Sequence, residues 1–180
     1  QLRRLAAGRV RPDEVERELR AQFAWLAARG VRPTHVDGHH HVHAYPGVLP
    51  VVLRLMGEYG VRALRSPLLT AWLLPYLPRP LDAPGARGRR AALLERRGLA
   101  RAGALLDAGR LARRADPVGA TVRAVATAGA GVVELMAHPA WNRDAAVGAA
   151  QVRLLTDPAL REALARAGVR LVRYDELAAG

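Results

Sequence analysis

The chain has 180 residues, of which 51% are hydrophobic, enough for one domain with a sizeable core and too apolar for disorder as a whole-chain description. Cysteine is absent, which excludes disulfides and thiolate chemistry and leaves His, Asp, Glu and backbone oxygen as metal ligands. The net charge is +12, carried by arginine alone, but aromatics do not interleave with the densest basic run, Arg87 to Arg114, so a base-stacking nucleic-acid surface is not indicated.

Gln1 to Ala7 reads as a short arginine-rich helical piece ended by Gly8. Pro12-Asp13-Glu14 is a helix start, with a proline in the first turn and acids at the positive end of the dipole. Val15, Leu19, Phe23 and Leu26 follow at helical spacing up to Gly30. Val31 to Asp37 reads as a short strand, and Pro46-Gly47 precedes a helix from Val48 to Tyr59 with Leu49, Val52, Leu53 and Met56 inward. Val61 to Arg65 reads as a second strand. Helix, strand, helix, strand is the grammar of α/β units with parallel strands.

Prolines 67, 75, 78, 80 and 84 break the pattern between Ser66 and Gly88, an apolar loop or lid. Arg89 to Arg114 has helical composition interrupted by Gly98, Gly103 and Gly109, which predicts two helices. Asp116-Pro117 starts a helix through Ala128, and Val132 to Met136 is a strand ending at His138-Pro139. After a polar loop, Trp141 to Asp144, helices are expected at Ala145 to Leu155 and Pro158 to Ala167. A last strand is expected at Val169 to Val172, and a short helix at Tyr174 to Ala178. No segment reaches the roughly 18 uninterrupted apolar residues of a membrane span. No signal peptide is visible, and the lack of disulfides fits the cytoplasm.

Chemistry concentrates in Thr34-His35-Val36-Asp37-Gly38-His39-His40-His41-Val42-His43. Five of the chain's six histidines fall there; the sixth is His138. If the stretch stays extended, His35, Asp37, His39, His41 and His43 share one face. Strict extension is expected to fail after Gly38. Imidazoles beside a carboxylate at the C-terminal end of a strand suit metal binding or proton transfer. His138 also ends a predicted strand, sharing a face with Glu134 and Met136, so one imidazole can hold metal while another protonates a leaving group.

Pro33 to His43, followed by Tyr45-Pro46, resembles the central motif of the YdjC-like carbohydrate deacetylases, a family that includes chitooligosaccharide deacetylases and hopanoid-biosynthesis-associated deacetylase-like proteins. Glu134-Leu135-Met136-Ala137-His138-Pro139 is similar to their later Glu-x-Met-x-His-Pro motif, with Ala137 where a cysteine is common. Leu64-Arg65 sits where the family often has an arginine after its second strand. The resemblance implies an α/β fold, an irregular (β/α) barrel of the polysaccharide-deacetylase-like kind, and a divalent metal (Mg or Zn). It implies metal-assisted removal of acetyl from an N-acetylated sugar or glycolipid. His39 is then the metal ligand, His138 and Asp37 are catalytic, and His41, His43 and Arg65 line the substrate.

Family members begin with an Asp-Asp-Phe-Gly-like strand and a later Gly-x-His-like segment, which supply further metal ligands. Neither is present here, and the chain opens on Gln1. Residues 1–180 are therefore expected to form a single domain, the C-terminal portion of such a barrel, incomplete at the N-terminus. The alternatives are an inactive truncated remnant of the family and a basic protein that binds RNA or anionic lipid. The partner expected is the small-molecule sugar or glycolipid, with a homodimer left open.

Overall fold

Helical spacing of apolar residues, closed by glycines, builds the first part of the computed structural model, which describes residues 10–45, 47–65, 92–129, 131–140 and 145–178. Two compact units are present, Gln1–Arg101 with Arg173–Gly180, and Ala102–Val172. The expected Gln1 to Ala7 helix, the Ser66 to Gly88 segment and the Trp141 to Asp144 loop lie outside the described residues.

In the first unit, α1 (Pro12–Ala27) carries Pro12 in its first turn with Asp13 and Glu14 behind it. α2 (Leu49–Glu58) buries Leu49, Val51, Val52, Leu53, Leu55 and Met56. The chain turns out of these helices at Gly30 and Gly60, with φ of 69° and 70°, a left-handed conformation that glycine adopts without a Cβ penalty. α2 is buried on more of its circumference than the predicted stripe, because α1 packs on it and the histidine segment lies against it. Phe23 of α1 stacks on Tyr59 with ring centroids 4.8 Å apart. Each fully buried Leu or Met in this cluster contributes about 1.5–3 kcal/mol, and Leu55 is completely buried.

The two strands expected here shrink to parallel bridges, Val36 with Leu64 and Ala63 with Ala100. The middle segment thus pairs with both neighbours. Pro33 has no N–H to extend the first segment backwards, and the histidine turn takes the chain away immediately after Gly38. Residues 92–96 are helical, and α7 (Tyr174–Ala178) belongs to the same unit.

An ion-pair network joins α1 to α2. Arg54 grips both carboxylate oxygens of Glu16 at 2.6 Å, and Arg20 reaches Glu16 at 2.9 Å and Glu58 at 2.5 Å. The hydrogen bonds from Arg54 and Arg20 hold the Glu16 carboxyl down at about 2, against an ordinary 4.5. A depressed carboxylate pKa stabilises the fold above the ordinary value and loses that contribution as pH falls through the folded value. The stability difference between wild type and Glu16→Gln is therefore expected to be constant above pH 4.5 and to close as pH falls toward 2. Thermal unfolding of both proteins across that range checks this; a difference that stays constant to pH 2 contradicts it.

In the second unit, β1 (Ala104–Asp107) and β2 (Val133–Met136) pair in parallel, Ala104 opposite Val133 and Asp107 opposite Met136. Between them run α3 (Ala108–Leu111) and α4 (Pro117–Thr127). α5 (Ala145–Thr156) and α6 (Pro158–Arg166) follow β2. The Asp116-Pro117 start acts as expected, with Asp116 accepting from the Gly119 N–H at 2.8 Å; Asp157 caps α6 in the same way, accepting from the Ala159 N–H at 2.9 Å. Leu154, Leu160 and Leu164 form the buried cluster against Val118, Val122 and Val125 of α4.

Between Arg89 and Arg114 the described residues form two helices, as expected, but both are short and a strand lies between them. The helix at 92–96 gives way to the Ala100 bridge, then to β1 and the four-residue α3. Parallel pairing with β2 outweighs the helical preference of Ala and Leu there. Val169 to Val172 is not a strand. Its first N–H closes the end of α6 by donating to the Leu164 carbonyl at 2.9 Å, and the Val169 side chain packs on the α6 cluster. No helix among the described residues is long and apolar enough to cross a membrane.

Candidate functional site

The Val36–Leu64 bridge sets Asp37 and Arg65 next to each other, each one residue beyond the pairing. The Val36 N–H donates to the Ala63 carbonyl and the Arg65 N–H to the Val36 carbonyl, both at 3.0 Å. The Arg65 guanidinium then meets the Asp37 carboxylate at 2.5 Å. Arg65 is mostly buried and Asp37 is exposed.

After Gly38 the chain folds into a 3-10 turn, His39–Ala44, rather than continuing extended. The His41 N–H donates back to the Gly38 carbonyl at 2.7 Å. His40 (φ 50°, ψ 26°) and His41 (φ 55°, ψ 30°) are both left-handed, a conformation that costs non-glycine residues of order 1–3 kcal/mol each and clusters at functional sites. This pair of residues undoes the alternation expected of a strand. His39 and His40 are exposed, whereas His41 and His43 are buried.

His43 Nε2 lies 2.9 Å from the Arg65 carbonyl oxygen. A carbonyl only accepts, so Nε2 carries the proton. The turn is thereby tied to the segment that supplies Arg65. Gly38 permits the close approach, since a Cβ there would stand 3.0 Å from His43 Nδ1 and 3.2 Å from the His43 backbone nitrogen. His35 leaves the group: its ring stacks on Tyr174 at 3.9 Å, and Nδ1 sits 3.0 Å from Thr34 Oγ1.

The histidine segment therefore brings Asp37, Arg65 and His43 together and turns His39 outward. Among the described residues no three of His, Asp or Glu gather as a metal-binding set. Across the left-handed pair, His41 and His43 stay buried with ring centroids 6.2 Å apart, while His39 lies exposed beside His40. By themselves, the described residues do not fit a divalent metal.

His138 belongs to the second unit, two residues beyond the end of β2, and its side chain is exposed. It borders a cleft of about 480 Å³ at the C-terminal end of the parallel pair, lined also by Asp107, Arg110, Arg113 and Gln151, the end at which parallel α/β sheets build their sites. Asp107 is the last residue of β1 and accepts from the Gly109 N–H at 2.8 Å, while Arg110 Nε lies 3.9 Å from its other oxygen. Gln151 of α5, 3% exposed, accepts from the His138 N–H at 2.7 Å and donates to the His138 carbonyl at 3.3 Å. Of the shared face expected of β2, Met136 is buried and Glu134 half-buried; the alternation stops at Met136, where the strand ends.

Asp107, Arg110 and Gln151 escaped the sequence reading. Asp107 closes an apolar run, Ala-Leu-Leu, that suits a helix as well as a strand, so nothing local marks it as a strand end. Gln151 is the first polar residue in a helix that is Ala, Val and Gly up to that point, a signal that it has a buried partner to satisfy.

Residues 1–166 match the model of the family described as YdjC-like protein. A Mus musculus carbohydrate deacetylase is 34% identical over 202 aligned positions, covering 96% of this chain and 65% of the mouse protein. The Homo sapiens carbohydrate deacetylase is 33% identical over 96% of this chain and 62% of its own length. One from Brevibacillus brevis is 52% identical over 62 residues, 34% of this chain and 23% of that protein. The chain thus spans less than two thirds of the length of these relatives. A crystal structure from Enterococcus faecalis, of a protein for which cellobiose-phosphate cleavage has been proposed, shares the fold, with a TM-score of 0.66 at 23% identity over 93% of this chain and 62% of that one. The two motifs and this match over nearly the whole sequence agree: the chain belongs to the YdjC-like protein family.

Proposed function

We propose that the protein is a metal-dependent carbohydrate deacetylase, hydrolysing the acetamide of an N-acetylated sugar or glycolipid. The observation that carries this reading is the likeness of 96% of the chain to a protein named carbohydrate deacetylase. Its parallel β–α units belong, in this reading, to an irregular (β/α) barrel. Hydrolysis of an amide needs an activated water, a stabilised tetrahedral oxyanion and a proton for the departing amine. His138, exposed at the mouth of its cleft, is the group assigned to protonate the sugar nitrogen. Asp37, gripped by Arg65, is the second catalytic group. His41, His43 and Arg65 form the wall against the sugar, with His43 tied to the Arg65 carbonyl.

A divalent metal, Mg or Zn, is part of the proposal. His39 is the ligand assigned to it, and the other ligands must come from outside the described residues. Small-molecule sugar is the only partner the reading requires, and a homodimer is compatible with it.

Acetate release from N-acetylglucosamine oligomers, with metal analysis of the same preparation, tests the reading. Full-length protein supplied with Mg²⁺ or Zn²⁺ is expected to release acetate, and His39→Ala in it to bind less metal and lose activity by at least about 10-fold. No acetate from any acetylated oligomer, with either metal, sinks the proposal.

A further inference from the structure

The cleft beside His138 is held by an arrangement in α5 that neither family motif contains. Gly148 and Gln151 stand three residues apart, hence on one face of the helix. A Cβ on Gly148 would fall 2.7 Å from the Ala140 backbone nitrogen and 2.9 Å from its carbonyl carbon. The helix backbone therefore lies directly against the segment that follows His138. One turn further on, Gln151 places its carboxamide against both backbone groups of His138, accepting from the N–H at 2.7 Å and donating to the carbonyl at 3.3 Å. The same Nε2 also reaches the Val147 carbonyl at 3.4 Å. Gln151 is 3% exposed, so solvent competes little for these bonds, and a lost partner there leaves a buried group unsatisfied.

A residue just past a strand end has no ladder partner to fix its peptide. His138 is in that position, and Gln151 supplies what the sheet no longer does. We infer that Gln151 is a positioning residue: it clasps the backbone of His138 and so sets the direction of its imidazole over the cleft, while Gly148 brings the helix close enough for the clasp to form. Only an amide does this with both arms. A carboxylate accepts from the N–H but has no donor for the carbonyl, and an alanine offers neither. Gly109 completes the fit on the other side, since a Cβ there would stand 3.4 Å from Gln151 Nε2 and 3.1 Å from Asp107 Oδ1.

The inference rests on the deacetylase reading for its kinetic consequence and on geometry alone for the clasp, so two measurements are made on the full chain. Amide hydrogen exchange at His138 reads the clasp directly. In Gln151→Ala the His138 N–H is expected to exchange at least about tenfold faster than in wild type, and in Gln151→Glu to keep most of its protection. Acetate release from N-acetylglucosamine oligomers reads the positioning. Gln151→Ala is expected to lower kcat about tenfold or more with KM within about twofold, and Gln151→Glu to recover part of that loss, because misdirection of a group that acts in the transition state falls on kcat.

Unchanged protection of the His138 amide in Gln151→Ala overturns the clasp. Lost protection with unchanged kcat overturns the positioning role, and so does a loss confined to KM or to thermal stability. If no oligomer yields acetate, the deacetylase reading fails by itself. The decision on positioning then falls to the His138 ring resonance, which is expected to shift in Gln151→Ala; an unmoved resonance overturns it.

Discussion

Alanine in place of His138 is expected to reduce deacetylation by about 10²–10⁴-fold, the range supplied by one positioned acid–base group, and to leave the fold intact. The second half of that expectation follows from the structure. The ring is exposed, and the bonds that tie residue 138 to α5 run through its backbone N–H and carbonyl. Alanine keeps both. Single-turnover acetate release compared with the unfolding midpoint separates the two effects. Activity within about threefold of wild type would remove His138 from the chemistry. A large fall in the unfolding midpoint would mean that the ring is part of the packing.

Gly148→Ala is expected to destabilise the protein by about 1–3 kcal/mol, the usual cost of forcing a methyl group into filled space. In an open helix position the same change is favourable by roughly 0.5–1 kcal/mol, because glycine loses more backbone entropy on folding. Gly57 provides that comparison: it lies in α2, and a Cβ on it meets nothing within 4 Å. Gly57→Ala should therefore stabilise slightly where Gly148→Ala destabilises. At Gly148 the obstacle is the backbone of Ala140, which has no rotamer to yield. Chemical denaturation of the two variants checks the pair. Equal stabilisation by both would show that the 138–140 segment moves aside at little cost.

The helices were readable because their causes are local. Pro12, Pro117 and Pro158 stand at helix starts with acidic residues beside them, and Phe23 and Leu19 repeat at helical spacing. The parallel grammar was readable too, from the alternation of such helices with short β-branched runs. β1 was not, because Ala-Leu-Leu-Asp suits a helix as well as a strand and only its partner β2 decides between them. Val169 to Val172 went the other way, since it has strand composition but its leading N–H is taken by the end of α6.

The histidine cluster shows the same division more sharply. The sequence by itself determined the inventory of the candidate site and its family: five histidines with Asp37, the later His138-Pro139 pair, no thiol, and motifs specific enough to name relatives. It also placed the departure from the strand at Gly38, and the structure sets His43 close there, 3.0 Å from where a Cβ would stand. Only the tertiary structure decided which imidazoles face solvent. Two left-handed residues bury His41 and His43 and expose His39, and the Arg65 guanidinium finds Asp37 through a parallel bridge between residues far apart in sequence. The hold of Gln151 on His138 is of the same kind. Side-chain periodicity is a property of neighbouring residues and can be read along the chain; a backbone group satisfied from another element depends on where the chain returns.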